Sequence, residues 1–333
     1  MCIGWADENN AHGVHMLPLL SSLALCSPSA AGGSLVLDSA PLSADASGWT
    51  DAGVGAPGID HNPDTGRWVM AFESQVEPPS DACPEGAWAI GVAVGGDGGT
   101  WRILPAPVVA PGDRAYFDCG ARHPTPLWHG GTLHLWFTAL HEGGASVGIG
   151  HGRVAAGRFV HDLSLAMHYP GATEPSVNSH GDSLHMVFEA GGELHTAGAT
   201  HTESWRVEAE PTLAVSGSWW SEAGLFSPSL SCREDSSMPH ILNYLGVSIL
   251  DHHRLVTWSY AIASEIGDWY LSWSPIDSWS GDDGLVSVEV LHAAGGARAQ
   301  WFEARDPYGR PEIRRTLSDG VSPATEFYGH SCR

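Results

Sequence analysis

The chain of 333 residues contains no lysine: all 15 of its basic residues are arginines, set against 38 aspartates and glutamates. A formal charge of −23 repels phosphate backbones and anionic headgroups, which excludes nucleic acid and acidic membranes as partners. Long apolar runs are missing too. The longest candidate, LPLLSSLAL at residues 17–25, falls short of the ~20 residues that a membrane helix needs. No helical periodicity of useful length occurs. The six cysteines form no Cys-x-x-Cys, which argues against a zinc ribbon. The Gly-x-Ser-x-Gly elbow of serine hydrolases and the phosphate loop ending in Gly-Lys are likewise absent. No His-x-x-x-His carries a partner glutamate, so no metal-binding residues are assigned.

What the chain does have is glycine, proline and aromatics. Its 41 glycines and 22 prolines are scattered among apolar stretches, the pattern of many short strands and turns. Three segments repeat one design: APGIDHNPDTGRWVMAFE at 56–73, HPTPLWHGGTLHLWFT at 123–138 and EPSVNSHGDSLHMVFE at 174–189. A fourth opens at Ser227-Pro228. A fifth, around 286–291 and 299–304, lacks the leading proline. Each copy reads as a hairpin. The residue before proline is pushed into extended backbone, proline tolerates a strand start, and Asp, Asn and Gly make the turn. The leading prolines at 57, 124, 175 and 228 are spaced by 67, 51 and 53 residues. Repeats of ~40–50 residues with several strands each are the sequence signature of propeller blades. The expected fold class is therefore all-β, a five-bladed β-propeller in one domain over residues 45–333. Residues 1–44 read as a signal peptide and leader, and the export they imply places the protein outside the cytoplasm, as a secreted, periplasmic or cell-surface protein. Membrane attachment is then limited to that signal or a lipid anchor. Cys83–Cys119 and Cys232–Cys332 are the preferred disulfide pairs, with free thiols as the alternative.

The repeated unit, with its x-Pro-Ser-Val start, aromatic run, Ile-Gly-x-Ala and Asp-Gly-x-x-Trp, resembles the five-bladed propellers of the arabinanase, β-xylosidase, invertase and levansucrase group of glycoside hydrolases. The likeness spans roughly residues 50–275. It implies a central funnel into which catalytic carboxylates project from the first strand of each blade, and a carbohydrate ligand. It implies no organic cofactor, although part of the group holds a calcium ion in the funnel.

The funnel positions are Ala56, His123, Glu174 and Ser227. The resemblance puts Asp where Ala56 and His123 stand, and puts glutamate two residues before proline in the third blade, where Thr173 stands ahead of Glu174. Glycoside hydrolysis uses two carboxyl groups, an acid and a base or nucleophile. Glu174 is the one carboxylate at a funnel position, and Asp118 or Asp60 is the expected second. Asp60 also reads as a turn residue. Arg122 and His123 are expected to position the sugar, with an ion pair to Asp118 as the structural alternative. Glu73 and Glu189, at matching strand ends, are candidate lining residues. Trp219 and Trp220 offer either a stacking platform for sugar rings or a staple between blades. Two readings follow: a glycosidase-like hydrolase, or a glycan- or protein-binding propeller without the carboxylate pair.

Overall fold

Every regular element among the described residues is a β-strand. The computed structural model describes residues 36–43, 48–62, 64–95, 100–155, 158–202, 204–208, 227–234, 241–251, 254–262, 269–275, 288–292, 298–305, 310–317 and 331–332. The first strand is β1 (Val36–Leu42). Blade 1 follows as β2 (Gly55–Asn62), β3 (Arg67–Glu77), β4 (Ala87–Gly95) and β5 (Trp101–Ile103). Blade 2 comprises β6 (Gly120–His129), β7 (Thr132–Leu140), β8 (Ser146–Ala155) and β9 (Arg158–His161). Blade 3 comprises β10 (Thr173–His180), β11 (Ser183–Ala190), β12 (Glu193–Ala199) and β13 (Arg206–Val207). Blade 4 comprises β14 (Ser227–Glu234), β15 (Ile241–Asp251), β16 (Arg254–Ile262) and β17 (Trp269–Pro275). The last elements are β18 (Val288–His292), β19 (Arg298–Arg305), β20 (Pro311–Leu317) and the short β21 (Ser331–Cys332).

Each blade is an antiparallel meander, and its first strand packs against the first strand of the next. In this way β2 meets β6, β6 meets β10, β10 meets β14, β14 meets β18, and β18 returns to β2. That cycle is a β-propeller. The last blade is completed by β1, which pairs antiparallel with β20. Residues 36–42, read from the sequence as leader, are thus the outer strand of the final blade, and the propeller begins before residue 45. Joining the two ends of the chain in one sheet covers an edge of β20 that would otherwise stay open. The stretch proposed as a signal peptide, before residue 34, lies outside the described residues.

The turns are chemically simple. In blade 2 the hairpin pairs His129 with Thr132, and the two loop residues Gly130 and Gly131 have φ of 57° and 73°. Such a two-residue turn needs left-handed backbone twice, which glycine supplies at no steric cost. Middle strands are buried on both faces because each blade is sandwiched between neighbours. The core therefore lies in the seams. One cluster joins the last blade to blade 1 through Trp301, Ile313, Trp68, Met70 and Phe72. A second joins blades 1 and 2 through Ile90, Phe117 and Phe137, and a third joins blades 2 and 3 through Trp136, Val177, Met186 and Phe188.

Blades 1 and 2 are also linked covalently and through backbone. Cys83 and Cys119 form the disulfide expected from sequence, while the side chains of Cys232 and Cys332 lie outside the description. Beside the disulfide, Trp88 pairs in parallel with Gly120. Gly120 has φ of 93°, and a Cβ there would collide with the Trp88 carbonyl oxygen. Gly120→Ala is therefore expected to destabilise the protein by more than about 2 kcal/mol. Urea unfolding measures this, and a midpoint equal to wild type would contradict the role given to Gly120.

Candidate active site

The residues before the first three leading prolines are not extended, whereas Ser227, before the fourth, lies in continuous strand register. Ala56, His123 and Glu174 have φ of 44°, 50° and 51°, and they are the non-glycine residues with positive φ among the described ones. The strand register jumps at the same three places, between Gly55 and Gly58, Arg122 and Thr125, and Thr173 and Ser176. Blades 1, 2 and 3 thus open on a β-bulge at x-Pro, which overrides the preference for extended backbone before proline. Left-handed backbone at a residue other than glycine costs about 1–3 kcal/mol, so something must hold each bulge in place.

A hydrogen bond across the seam does so. The bulge N–H of Ala56 donates to Glu303 Oε2 at 3.2 Å, that of His123 to Glu73 Oε2 at 2.9 Å, and that of Glu174 to Thr138 Oγ1 at 3.1 Å. In every case the acceptor is on the second or middle strand of the preceding blade. Register shows that the acceptors are equivalent: Glu73 lies opposite Gly55, Thr138 opposite Arg122, and Glu189 opposite Thr173. Glycine at 55 is required by this arrangement, because a Cβ there would strike the Glu303 carboxylate. Glu303 and Thr138 were not singled out from the sequence. The signal was available: Phe72-Glu73, Phe137-Thr138, Phe188-Glu189 and Phe302-Glu303 all end a middle-strand aromatic run.

Glu73 is saturated. Its Oε1 accepts from Arg122 Nη2 at 2.7 Å and Nε at 3.1 Å, while Oε2 takes the His123 N–H. Burial alone would push the Glu73 carboxyl up, but Arg122 and His123 together hold it below its usual range. Arg122 stacks on Trp88, 4.1 Å from the ring centroid, and faces Glu85 at 3.6 Å. Burial pulls its guanidinium down, yet the Glu73 charge leaves it raised. The expected ion pair with Asp118 is replaced by this one.

Glu174 stands in the opposite condition. Burial, then the charges of Glu189 and Glu73, raise its carboxyl well above the usual range, with Arg122 opposing. Its Oε2 is buried without a hydrogen-bond partner, as is Nδ1 of His123. Burial pushes His123 down to about 4, so its imidazole is neutral at physiological pH. Glu174 Oε1 and His123 Nε2 are 3.9 Å apart, too far for a hydrogen bond to each other and near enough for one oxygen beside the pair to bond both. Both side chains retain partial access to solvent, 18% and 17%. Glu189 is held by neutral donors, the Thr173 hydroxyl at 2.6 Å and the Gly192 N–H at 2.5 Å.

The structure thus brings together Glu73, Arg122, His123, Glu174 and Glu189. It places Asp60 and Asp118 differently. Asp60 is a strand residue, fully buried, whose Oδ2 accepts the Trp128 N–H at 2.6 Å. It sits four residues along β2 from Ala56, roughly 13 Å at strand rise. Asp118 precedes β6 and contacts His141 Nδ1 at 2.8 Å near the surface. Trp219 and Trp220 lie outside the described residues. Among the described residues no group of three histidine, cysteine, aspartate or glutamate side chains gathers to hold a metal ion.

Two outcomes follow. Glu73→Gln leaves Arg122 without its charge partner in a largely enclosed seam and is expected to cost about 3 kcal/mol, measurable by urea unfolding. Acid should also weaken the fold. His123 and His134 are both pushed down to about 4 from 6.5, so between those values the unfolded chain binds protons that the folded one refuses. Glu174 acts the other way, because its folded carboxyl keeps a proton that the unfolded one has released above its ordinary pKa. Two imidazoles outweigh one carboxyl, and Tm should fall from pH 6.5 to 4.5. Glu174→Gln removes the opposing group and should make the fall steeper; a slope unchanged by that substitution would contradict the assignment.

No family model and no curated protein matches the sequence. Solved structures do. A GH130 protein, from a family of mannoside phosphorylases that contains glycoside hydrolases targeting β-1,2 mannosidic linkages in Candida mannan, superposes with a TM-score of 0.61 at 9% identity, over 90% of this chain and 97% of that one. A β-xylosidase gives a TM-score of 0.55 at 9% identity, over 84% and 95% of the two chains. The arabinanase of Bacillus subtilis gives 0.53 at 12% identity, over 79% and 93%. At such identities the likeness is one of fold: the chain shares the β-propeller of these glycoside hydrolases.

Proposed function

We propose that the protein is a glycosidase-like hydrolase that cleaves glycans in its central funnel, with Glu174 as the proton donor. The observation that carries this reading is the state of Glu174: a carboxyl kept protonated by burial and by two neighbouring carboxylates, with Oε1 open to the funnel. A carboxylic acid that keeps its proton near neutral pH is what departure of a sugar oxygen requires. The glycosidic oxygen would sit beside Glu174 Oε1 and His123 Nε2, which are 3.9 Å apart, within hydrogen-bond reach of both. Glu189, whose hydrogen-bond partners are neutral, would serve as the second carboxyl group, which steadies positive charge at the anomeric carbon and takes the proton of the incoming water. Glu73 is unsuited to that task because both of its oxygens are occupied by Arg122 and His123. The fold shared with glycoside hydrolases and the Cys83–Cys119 disulfide support an exported enzyme.

A second reading has its own observation. Ala56 stands where the resembling hydrolases carry an aspartate, so the propeller would then recognise a glycan without cleaving it. A panel of aryl glycosides and of plant and microbial polysaccharides separates the two. The hydrolase reading expects turnover of at least one substrate, reduced by about a hundredfold or more in Glu174→Gln. Saturable glycan binding with no turnover would establish the binding module, and turnover indifferent to Glu174→Gln would remove Glu174 from the mechanism.

A further inference from the structure

Thr138 departs from the acceptor found at the two preceding seams. The residue that accepts the next blade's bulge N–H is Glu303 at the seam into blade 1 and Glu73 at the seam into blade 2. At the seam into blade 3 it is Thr138, 1% exposed. The incoming residues are Ala56 and His123 at the first two seams, and Glu174 at the third. The acid has therefore changed sides: where the bulge brings a carboxyl, the acceptor is a hydroxyl.

The exchange has two physical consequences. A glutamate at 138 would set a second carboxylate against Glu174 in a seam with little water, where like charges interact strongly. It would also lie opposite Arg122 in the β6–β7 ladder and draw the guanidinium away from Glu73. A threonine does neither. Its Oγ1 accepts the Glu174 N–H without charge, and its branched side chain suits a buried strand.

We propose that Thr138 is the positioning residue of the site: it anchors Glu174 in its left-handed, funnel-facing conformation and keeps a further carboxylate out of the seam between blades 2 and 3. The proposal rests on the reading of Glu174 as the proton donor. The charged and titratable groups that face Glu174 are then limited, among the described residues, to Glu189 from β11, Glu73 from β3, and Arg122 and His123 from β6. Thr138 touches the backbone of Glu174, so it acts through that residue and not on substrate.

The test is a carboxyl-carbon NMR titration of the full chain labelled in glutamate, with the Glu174 signal identified by its loss in Glu174→Gln. It is run beside kcat and KM on the best substrate of the panel. Thr138→Ser should match wild type in every readout. Thr138→Glu, or the shorter Thr138→Asp, should move the Glu174 midpoint up by at least about one pH unit. Thr138→Val, which keeps shape and removes the acceptor, should lower kcat about tenfold or more and leave KM within about twofold. A Glu174 midpoint that stays put in a folded acidic variant, or a Thr138→Val protein at full kcat, overturns the proposal. A wild-type midpoint in the ordinary carboxylate range defeats the reading of Glu174 as an acid. A raised midpoint that ignores position 138 defeats the role of Thr138 alone.

Discussion

The hydrogen bond that crosses the seams into blades 1, 2 and 3, from the N–H of a left-handed bulge residue to a side chain on the preceding blade, is the constraint on which the funnel depends. It couples two things that a propeller must solve separately, the docking of one blade on the next and the direction of the residue that opens each blade. Without the bond the bulge is a strained backbone with a buried orphan donor. With it, the strain fixes Ala56, His123 and Glu174 at one level around the axis. The apolar clusters supply most of the cohesion between blades, but they are smooth along the seam and do not specify where a polar group must stand.

From this constraint the site acquires its division of labour. The acceptor position favours an acid, and at the first two seams a glutamate fills it. At the seam between blades 1 and 2 that glutamate also holds Arg122, so one ion pair and one backbone bond consume all of its capacity. Arg122 is thereby unable to neutralise Glu174. Two carboxyl groups consequently stand in opposite environments: Arg122 and His123 hold Glu73 below the usual carboxylate range, while burial and anionic neighbours hold Glu174 well above it. Environments that push like groups apart are how a single fold obtains an acid and a base from one residue type. His123, held neutral by burial, stands 3.9 Å from Glu174 and completes the polar cluster.

The blade plan was legible in the sequence because it is written in repeats. Proline starts, glycine turns and aromatic runs recur, and they placed the first strands of four blades near the observed positions. The closing strand was not legible. Val36–Leu42 has no partner nearby in sequence, and its pairing with β20 is a contact between the chain's two ends. Pre-proline geometry misled for a different reason. A local rule favours extended backbone there, and a tertiary hydrogen bond outweighs it at Ala56, His123 and Glu174. Glu174, Arg122 and His123 drew notice in the sequence because they stand at or beside the repeat position that differs from blade to blade. Asp60 looked like a turn residue from its Asp, His and Asn neighbours, yet it is a buried strand acceptor for the Trp128 N–H. Glu303 and Thr138 were missed because their importance lies in the seam they face, although the shared Phe-Glu or Phe-Thr ending marks them once the register is known.

Amide hydrogen exchange at the three bulges tests the central claim most directly. The N–H groups of Ala56, His123 and Glu174 are bound to side chains across seams, so opening any of them requires two blades to separate. They should exchange as slowly as the amides of the middle strands β3, β7 and β11, and lose that protection in the same unfolding event. Fast exchange of these three amides, with the middle strands still protected, would show that the seam bonds do not hold the funnel together.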